Sequence, residues 1–113
     1  MELKAKMAMS MVALLLFGCS SEPNIEVSIQ PNQYQYWRTL VFIIQATTNE
    51  VVVTNVVVNR GNCALPLGTA KDIERTVKLG FGQSYRGYTP SCTVDDVKEI
   101  EVTTNAGKFT FSF

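Results

Sequence analysis

Three cysteines, Cys19, Cys63 and Cys92, are the side chains with the widest choice of chemistry in this sequence of 113 residues. A cysteine thiolate can be a nucleophile, a redox partner, a metal ligand or a lipid acceptor, depending on its surroundings. The sequence contains no histidine, which removes the commonest general base, the usual Ser and Cys triads and most zinc sites. The composition therefore argues against an enzyme, and we expect neither a metal nor a cofactor.

Cys63 and Cys92 lie in two segments that predict loops, and they lack the CxxC spacing of a redox pair. In an exported protein, two such thiols most often pair with each other. A catalytic or redox role would need a group that activates the thiolate, and the absence of histidine disfavours it. We therefore expect a Cys63–Cys92 disulfide.

Four carboxylates lie close together near the end of the chain: Asp95, Asp96, Glu99 and Glu101. They suggest a calcium site or a paired-carboxylate enzyme. However, the carboxylates do not follow the spacing of an EF-hand loop, and the cluster contains no glycine. Glu99 and Glu101 alternate with Ile100 and Val102, which is the pattern of a strand with one buried face. We expect a solvated turn followed by the exposed face of that strand.

Tyr85, Arg86 and Tyr88 are the best candidates for contact with a partner, because tyrosine and arginine are enriched at binding hot spots. They fall in residues 82–91, which are predicted to form a loop because the segment contains Gly87 and Pro90. A disulfide at Cys92 would hold that loop rigid and lower the cost of ordering it. The alternative is a loop whose tyrosines only cover the edge of the domain.

Alternating and branched apolar residues predict six or seven strands, separated by turns every eight to twelve residues. The clearest runs are residues 25–29, 34–46, 51–58, 77–81, 99–103 and 108–113. Residues 40–44 are apolar on both faces, as in a central strand. The aromatic residues Tyr34, Tyr36 and Trp37 precede them, and for Tyr36 and Trp37 we favour core and edge packing over partner contact.

The segments between these runs predict loops and turns. Residues 47–50 form a polar break of hairpin length, residues 59–71 the longest loop, and residues 72–76 the start of a helical turn. Asn105, Ala106 and Gly107 form a tight hairpin turn. The fold class is all-β: we expect a small antiparallel β-sandwich of six or seven strands with one disulfide, with a small closed barrel as the alternative.

The first residues predict an export signal, since Lys4 and Lys6 precede an apolar run over residues 7–17 that only Ser10 interrupts. Eleven helical residues span roughly 16 Å, about half the hydrocarbon thickness of a bilayer, so a signal peptide fits better than a transmembrane helix. The run ends at Gly18 and Cys19.

The sequence Leu16-Phe17-Gly18-Cys19 resembles the lipobox of bacterial lipoproteins. The resemblance implies cleavage before Cys19 and attachment of palmitate-type acyl chains through its sulfur. The alternative is an ordinary signal peptide in which Cys19 is incidental. Ser20 and Ser21, in place of aspartate, imply sorting to the outer membrane, facing the periplasm, in a Gram-negative host.

The expected organisation is a signal peptide over residues 1–18, a lipid-anchored linker over 19–24 and a sandwich domain over 25–113. The mature chain would carry eight basic and nine acidic side chains, so nothing in its charge favours nucleic acid. We expect a non-catalytic binding or assembly module that docks onto another envelope protein. An inhibitor of an incoming protein, such as a cell-wall hydrolase, is the alternative; a degradative enzyme ranks third.

Overall fold

The computed structural model describes residues 22–32 and 39–113. Cys19, Tyr34, Tyr36 and Trp37 lie outside the described residues, as does the whole of the expected signal peptide. The described elements follow one another in this order: β1 Ile25–Pro31, β2 Leu40–Ala46, β3 Val51–Val58, a short 3₁₀ turn Asn59–Gly61, α1 Leu67–Glu74, β4 Val77–Leu79, β5 Ser84–Thr89, β6 Glu99–Thr104 and β7 Gly107–Ser112.

These strands form two antiparallel sheets that enclose one core. Sheet A has the order β1-β2-β5, and sheet B has the order β4-β3-β6-β7. The prediction of an all-β sandwich with one disulfide is therefore confirmed, and the alternative of a closed barrel is wrong. Strand β2 is central in sheet A, as its two apolar faces indicated.

Strand β3 contributes four inward valines because its alternation shifts once. A β-bulge between Val53 and Asn55 leaves Thr54 and Asn55 both exposed. The inward residues are Val51, Val53, Val56 and Val58. Without the bulge, one-residue alternation would turn the last two outward. They pack in one cluster with residues that include Leu40, Phe42, Ile44, Ile100 and Val102.

A helix occupies part of the segment predicted as the longest loop. Residues 67–71, expected in that loop, belong to α1. Pro66 precedes the helix at its N-cap, and Thr69 and Ile73, four positions apart, are its buried residues. A helix of eight residues with two inward side chains has too weak an apolar period to be seen in the sequence.

Strand β5 lies inside the segment predicted as the second loop. Gly87 suggested a turn, but it lies in the middle of the strand, opposite Phe42 of β2. A Cβ atom at this position would overlap the Phe42 ring, so glycine is present to let the ring lie against the backbone. The glycine therefore marks a close approach within a sheet.

The connections define two ends of the sandwich, which we call the entry end and the disulfide end. Residues 47–50 were expected to join a hairpin, but they cross from sheet A to sheet B at the entry end. Asn24 and the β6–β7 turn lie at the same end. Chain reversals after β3 and β5 lie at the opposite end, where Cys63 joins Cys92.

Candidate functional site

The disulfide ties the two sheets together. Cys63 follows β3 of sheet B and Cys92 follows β5 of sheet A, and their Cα atoms are 5.7 Å apart. Both side chains are buried. The predicted pairing is confirmed, and in this oxidised form neither sulfur is a free thiolate.

The three residues of the expected contact loop do not share one surface. They lie on strand β5, where successive side chains point to opposite faces. Tyr85 is partly buried and packs against the core, whereas Arg86 and Tyr88 are exposed on the outer face of sheet A. The prediction of a single loop patch is therefore wrong in its geometry.

Tyr85 holds the helix against the sheet. Its ring lies 6.5 Å from that of Phe42 at a tilt of 54°, and its hydroxyl donates a hydrogen bond of 3.0 Å to Asp72 Oδ2 on α1. Burial, followed by this hydrogen bond to a carboxylate, raises the pKa of Tyr85 from 10.0 to about 12. These contacts indicate a structural role.

Arg86 and Tyr88 belong to a surface of three neighbouring strands, which we call the sheet-A face. In register across the sheet, Ser28 lies beside Ile43 and Ile43 beside Arg86. The members are Glu26, Ser28, Gln30, Val41, Ile43, Gln45, Ser84, Arg86 and Tyr88. Ile43 is half-buried, while Val41 is 2% exposed and offers no contact area.

The sheet-A face surrounds a half-buried apolar residue, Ile43, with polar and charged side chains. Such a surface suits contact with a protein partner. No hydrogen bond or ion pair joins the Arg86 guanidinium to another residue within 22–32 and 39–113. A hollow of about 380 Å³ beside the β1 edge is lined in part by Glu26, Ser28, Ile43 and Gln45. The Tyr88 side chain is 43% exposed.

The acidic cluster is divided between a turn and a strand. Asp96 Oδ2 accepts hydrogen bonds from the Thr93 amide and hydroxyl, and Glu99 accepts one from exposed Arg60. Glu99 and Glu101 lie on the outer face of β6, opposite buried Ile100 and Val102, as expected. Among the described residues, no three His, Cys, Asp or Glu side chains lie close enough to hold a metal.

Two asparagines hold the ends of the sandwich: Asn105, which the sequence predicted only as a turn residue, and Asn59, which it placed only at the start of a loop. Asn105 Oδ1 accepts hydrogen bonds from the Val52 amide and Asn24 Nδ2, and Asn105 Nδ2 donates to the Glu50 carbonyl. Asn59 Oδ1 accepts from the amides of Lys98 and Glu99. Asparagine in a turn was the available signal, but it does not reveal which distant segment the side chain will reach.

Asn24 connects the start of the domain to the same network at the entry end. Its Oδ1 accepts a hydrogen bond of 2.9 Å from the Thr104 hydroxyl, and its carbonyl accepts one of 2.9 Å from the Thr47 amide. Asn24 is buried, although the sequence placed it in the linker over residues 19–24. The last residue of that expected linker is thus part of the folded domain.

In the part of the chain that the structure describes, no helix is long and apolar enough to span a bilayer. Comparisons of this chain with protein-family models, with curated proteins and with solved structures found no match.

Proposed function

We propose that this chain is a lipid-anchored protein of the bacterial cell envelope. In this proposal, partner proteins bind its sheet-A face, and the chain has no catalytic activity of its own. The observation that carries the proposal is the buried Cys63–Cys92 disulfide. Stable disulfides form in oxidising compartments such as the periplasm. Export to such a compartment is what the basic and apolar segment before Cys19 predicts.

The sheet-A face supports docking better than the outer face of sheet B. On sheet B, strands β6 and β7 present alternating polar residues, with Glu101 opposite Thr110 and Thr103 opposite Lys108. The sheet-A face instead combines Arg86, whose guanidinium has no partner among the described residues, with the exposed ring of Tyr88. Such a surface fits a protein partner that brings a carboxylate to Arg86 and an apolar group to Tyr88.

The anchor is tested through Cys19. In cells supplied with labelled palmitate, the wild-type chain should incorporate label, and Cys19→Ala should abolish labelling and leave unprocessed precursor. Cys63→Ala together with Cys92→Ala is the matched control, because it removes two cysteines and leaves the lipobox intact. Equal labelling of the Cys19→Ala chain would overturn the lipid anchor.

The docking face is tested by placing a photo-cross-linking amino acid at residue 88 of the full chain in intact cells. Thr110, an exposed residue on the outer face of sheet B, is the matched control position. We expect a discrete adduct from residue 88 that is absent from residue 110. Adding Arg86→Ala should weaken the adduct, because loss of a hot-spot side chain typically costs about 2 kcal/mol of binding or more.

The same experiment separates an assembly subunit from an inhibitor. An adduct with a protein of the cell's own envelope, formed without any challenge, supports assembly. An adduct that forms only after a foreign cell-wall hydrolase is added supports an inhibitor instead. If residues 88 and 110 give the same pattern under both conditions, the sheet-A face is not the docking surface.

A further inference from the structure

The turn between β4 and β5 displays an isolated aromatic ring. Phe81 is 69% exposed, although its alternation with Val77 and Leu79 predicted an inward residue of a longer strand. The turn is closed on both sides of the ring: the Gln83 amide donates to the Gly80 carbonyl, and the Gly80 amide donates to Gln83 Oε1. A rigid turn that holds a phenyl ring in solvent gains no burial within the domain.

The Phe81 turn lies beside the point where the chain enters the domain. The Ala46 amide donates to the Gln83 carbonyl, and the Gly82 amide donates to the Ala46 carbonyl. The next residue, Thr47, donates its amide to the Asn24 carbonyl. Asn24 and the Phe81 turn therefore flank one segment, and two spacings of hydrogen-bonded backbone place them within roughly 10 Å of each other.

The length of chain before Asn24 limits how far this end can lie from a membrane. Four residues lie between Cys19 and Asn24, and the five steps from one Cα atom to the next reach only about 18 Å even when fully extended. Acyl chains on Cys19 would therefore keep the entry end close to the bilayer surface. The nearest large surface available to the Phe81 ring would be that bilayer.

We propose that Phe81 inserts into the lipid interface and forms a second membrane contact beside the acylated Cys19. This inference rests on the lipid anchor of the proposed function. An apolar ring at the acyl boundary adds buried apolar area to a lipid anchor. Contact at this end would also turn the disulfide end away from the membrane, because β3 runs from one end to the other.

Charges at the entry end favour a zwitterionic surface over a strongly anionic one. Glu50 and Lys78 both line a hollow beside the Phe81 turn, and Glu22 lies in the chain that leads to Asn24. Glu26 and Lys108 lie near the same end of β1 and β7, so three carboxylates and two ammonium groups are present and give no net attraction to anionic lipid. The contact must then come mainly from the ring itself, so phosphatidylcholine vesicles are the suitable probe.

The test uses the mature, acylated protein in phosphatidylcholine vesicles whose acyl chains carry bromine, a short-range quencher of tryptophan fluorescence. In a Trp37→Phe background, Phe81→Trp places the probe at the entry end. Tyr88→Trp is the matched control, since Tyr88 is also exposed but lies toward the opposite end of β5. We expect a blue shift and strong quenching from residue 81, with neither from residue 88.

The possible outcomes separate this inference from the anchor. If palmitate labelling is normal but the two probes are quenched equally, the Phe81 contact is overturned while the anchor stands. If labelling is absent from the wild-type chain, both proposals fall. If the Trp37→Phe background does not fold, the same two probes are compared with Trp37 retained, after subtraction of the quenching of the wild-type protein.

Discussion

The two ends of the sandwich are held by different kinds of bond. At the entry end, side-chain amides and hydroxyls of Asn24, Thr104 and Asn105 join segments that are distant in sequence. At the opposite end a covalent bond joins Cys63 to Cys92, and Asn59 forms hydrogen bonds with Asp96 and Lys98 in the segment that follows Cys92. The end nearest the expected anchor therefore depends on noncovalent contacts, whereas a covalent bond closes the other end.

Removal of the covalent bond should have the largest effect on stability. Cys63→Ala together with Cys92→Ala should lower the free energy of unfolding by about 3.6 kcal/mol, the chain-entropy value for cysteines 29 residues apart. Urea denaturation measures the loss. A typical domain has only about 5 to 15 kcal/mol of stability, so this would be a large fraction.

For the wild-type protein, the oxidation state of Cys63 and Cys92 must be determined alongside urea denaturation. Non-reduced mass spectrometry of protein taken from the envelope should show a mass two hydrogens lower, with peptides containing Cys63 and Cys92 linked. Freely alkylating thiols in that sample would contradict the pairing in the cell. Equal stability of the oxidised protein and the double variant would contradict its energetic role.

The entry end can be weakened by one substitution. Asn105→Ala removes three side-chain hydrogen bonds and leaves the Val52 amide without its side-chain acceptor. The bonds to the Val52 amide and the Glu50 carbonyl are exposed, so water can replace the lost partners, and we expect a decrease of about 0.5 to 1.5 kcal/mol by urea denaturation. Asn49→Ala is the control, since Asn49 is exposed at the same end. A loss equal to that of the control would show that the amide network contributes little.

Double variants sharpen the contrast between the ends. Asn59 and the disulfide hold the same two segments together, so Asn59→Ala and removal of the disulfide should not be additive. The expected interaction energy is about 0.5 kcal/mol or more. Asn105→Ala lies at the opposite end and should add to removal of the disulfide within about 0.5 kcal/mol.

The choice of Asn59→Ala needs one control of its own, because Asn59 has a positive φ of 50°. Alanine is strained in that conformation, whereas glycine is not. Asn59→Gly removes the same side-chain bonds without the strain. Coupling with the disulfide in both variants would assign the effect to the hydrogen bonds; coupling in neither would contradict the shared role of Asn59 and the disulfide.

The contrast between local and distant signals explains what the sequence could predict. Val51–Val58 was predicted to the residue because its pattern depends on its own side chains. Strand β5 was missed because its glycine accommodates a ring from another strand, Phe42. The disulfide followed from composition and export, whereas the division of Tyr85 from Arg86 required knowing that this segment is a strand. The sequence did not reveal which strands pair with each other, as β5 does with β2.

The weakest of these contacts belongs neither to the asparagine network nor to the disulfide: it joins α1 to β5. The Tyr85 hydroxyl donates to Asp72 and ties α1 to sheet A, and burial with this hydrogen bond raises the pKa of Tyr85 to about 12. The folded state therefore holds the phenolic proton more tightly than the unfolded state, whose pKa is near 10.0. Stability from this group is complete below pH 10 and is lost as the pH rises toward 12.

Tyr85→Phe isolates that contribution, because it keeps the ring against Phe42 and removes the proton. The wild-type protein should be more stable than Tyr85→Phe at pH 9, and the difference between their urea midpoints should shrink between pH 10 and pH 12 as Tyr85 ionises. The amides and the disulfide do not ionise, so neither end of the sandwich should contribute to this change. Tyr88→Phe is the control, since it removes a phenolic hydroxyl from an exposed ring of the same strand. A constant difference for Tyr85→Phe would show that Tyr85 does not link the helix to the sheet through its proton.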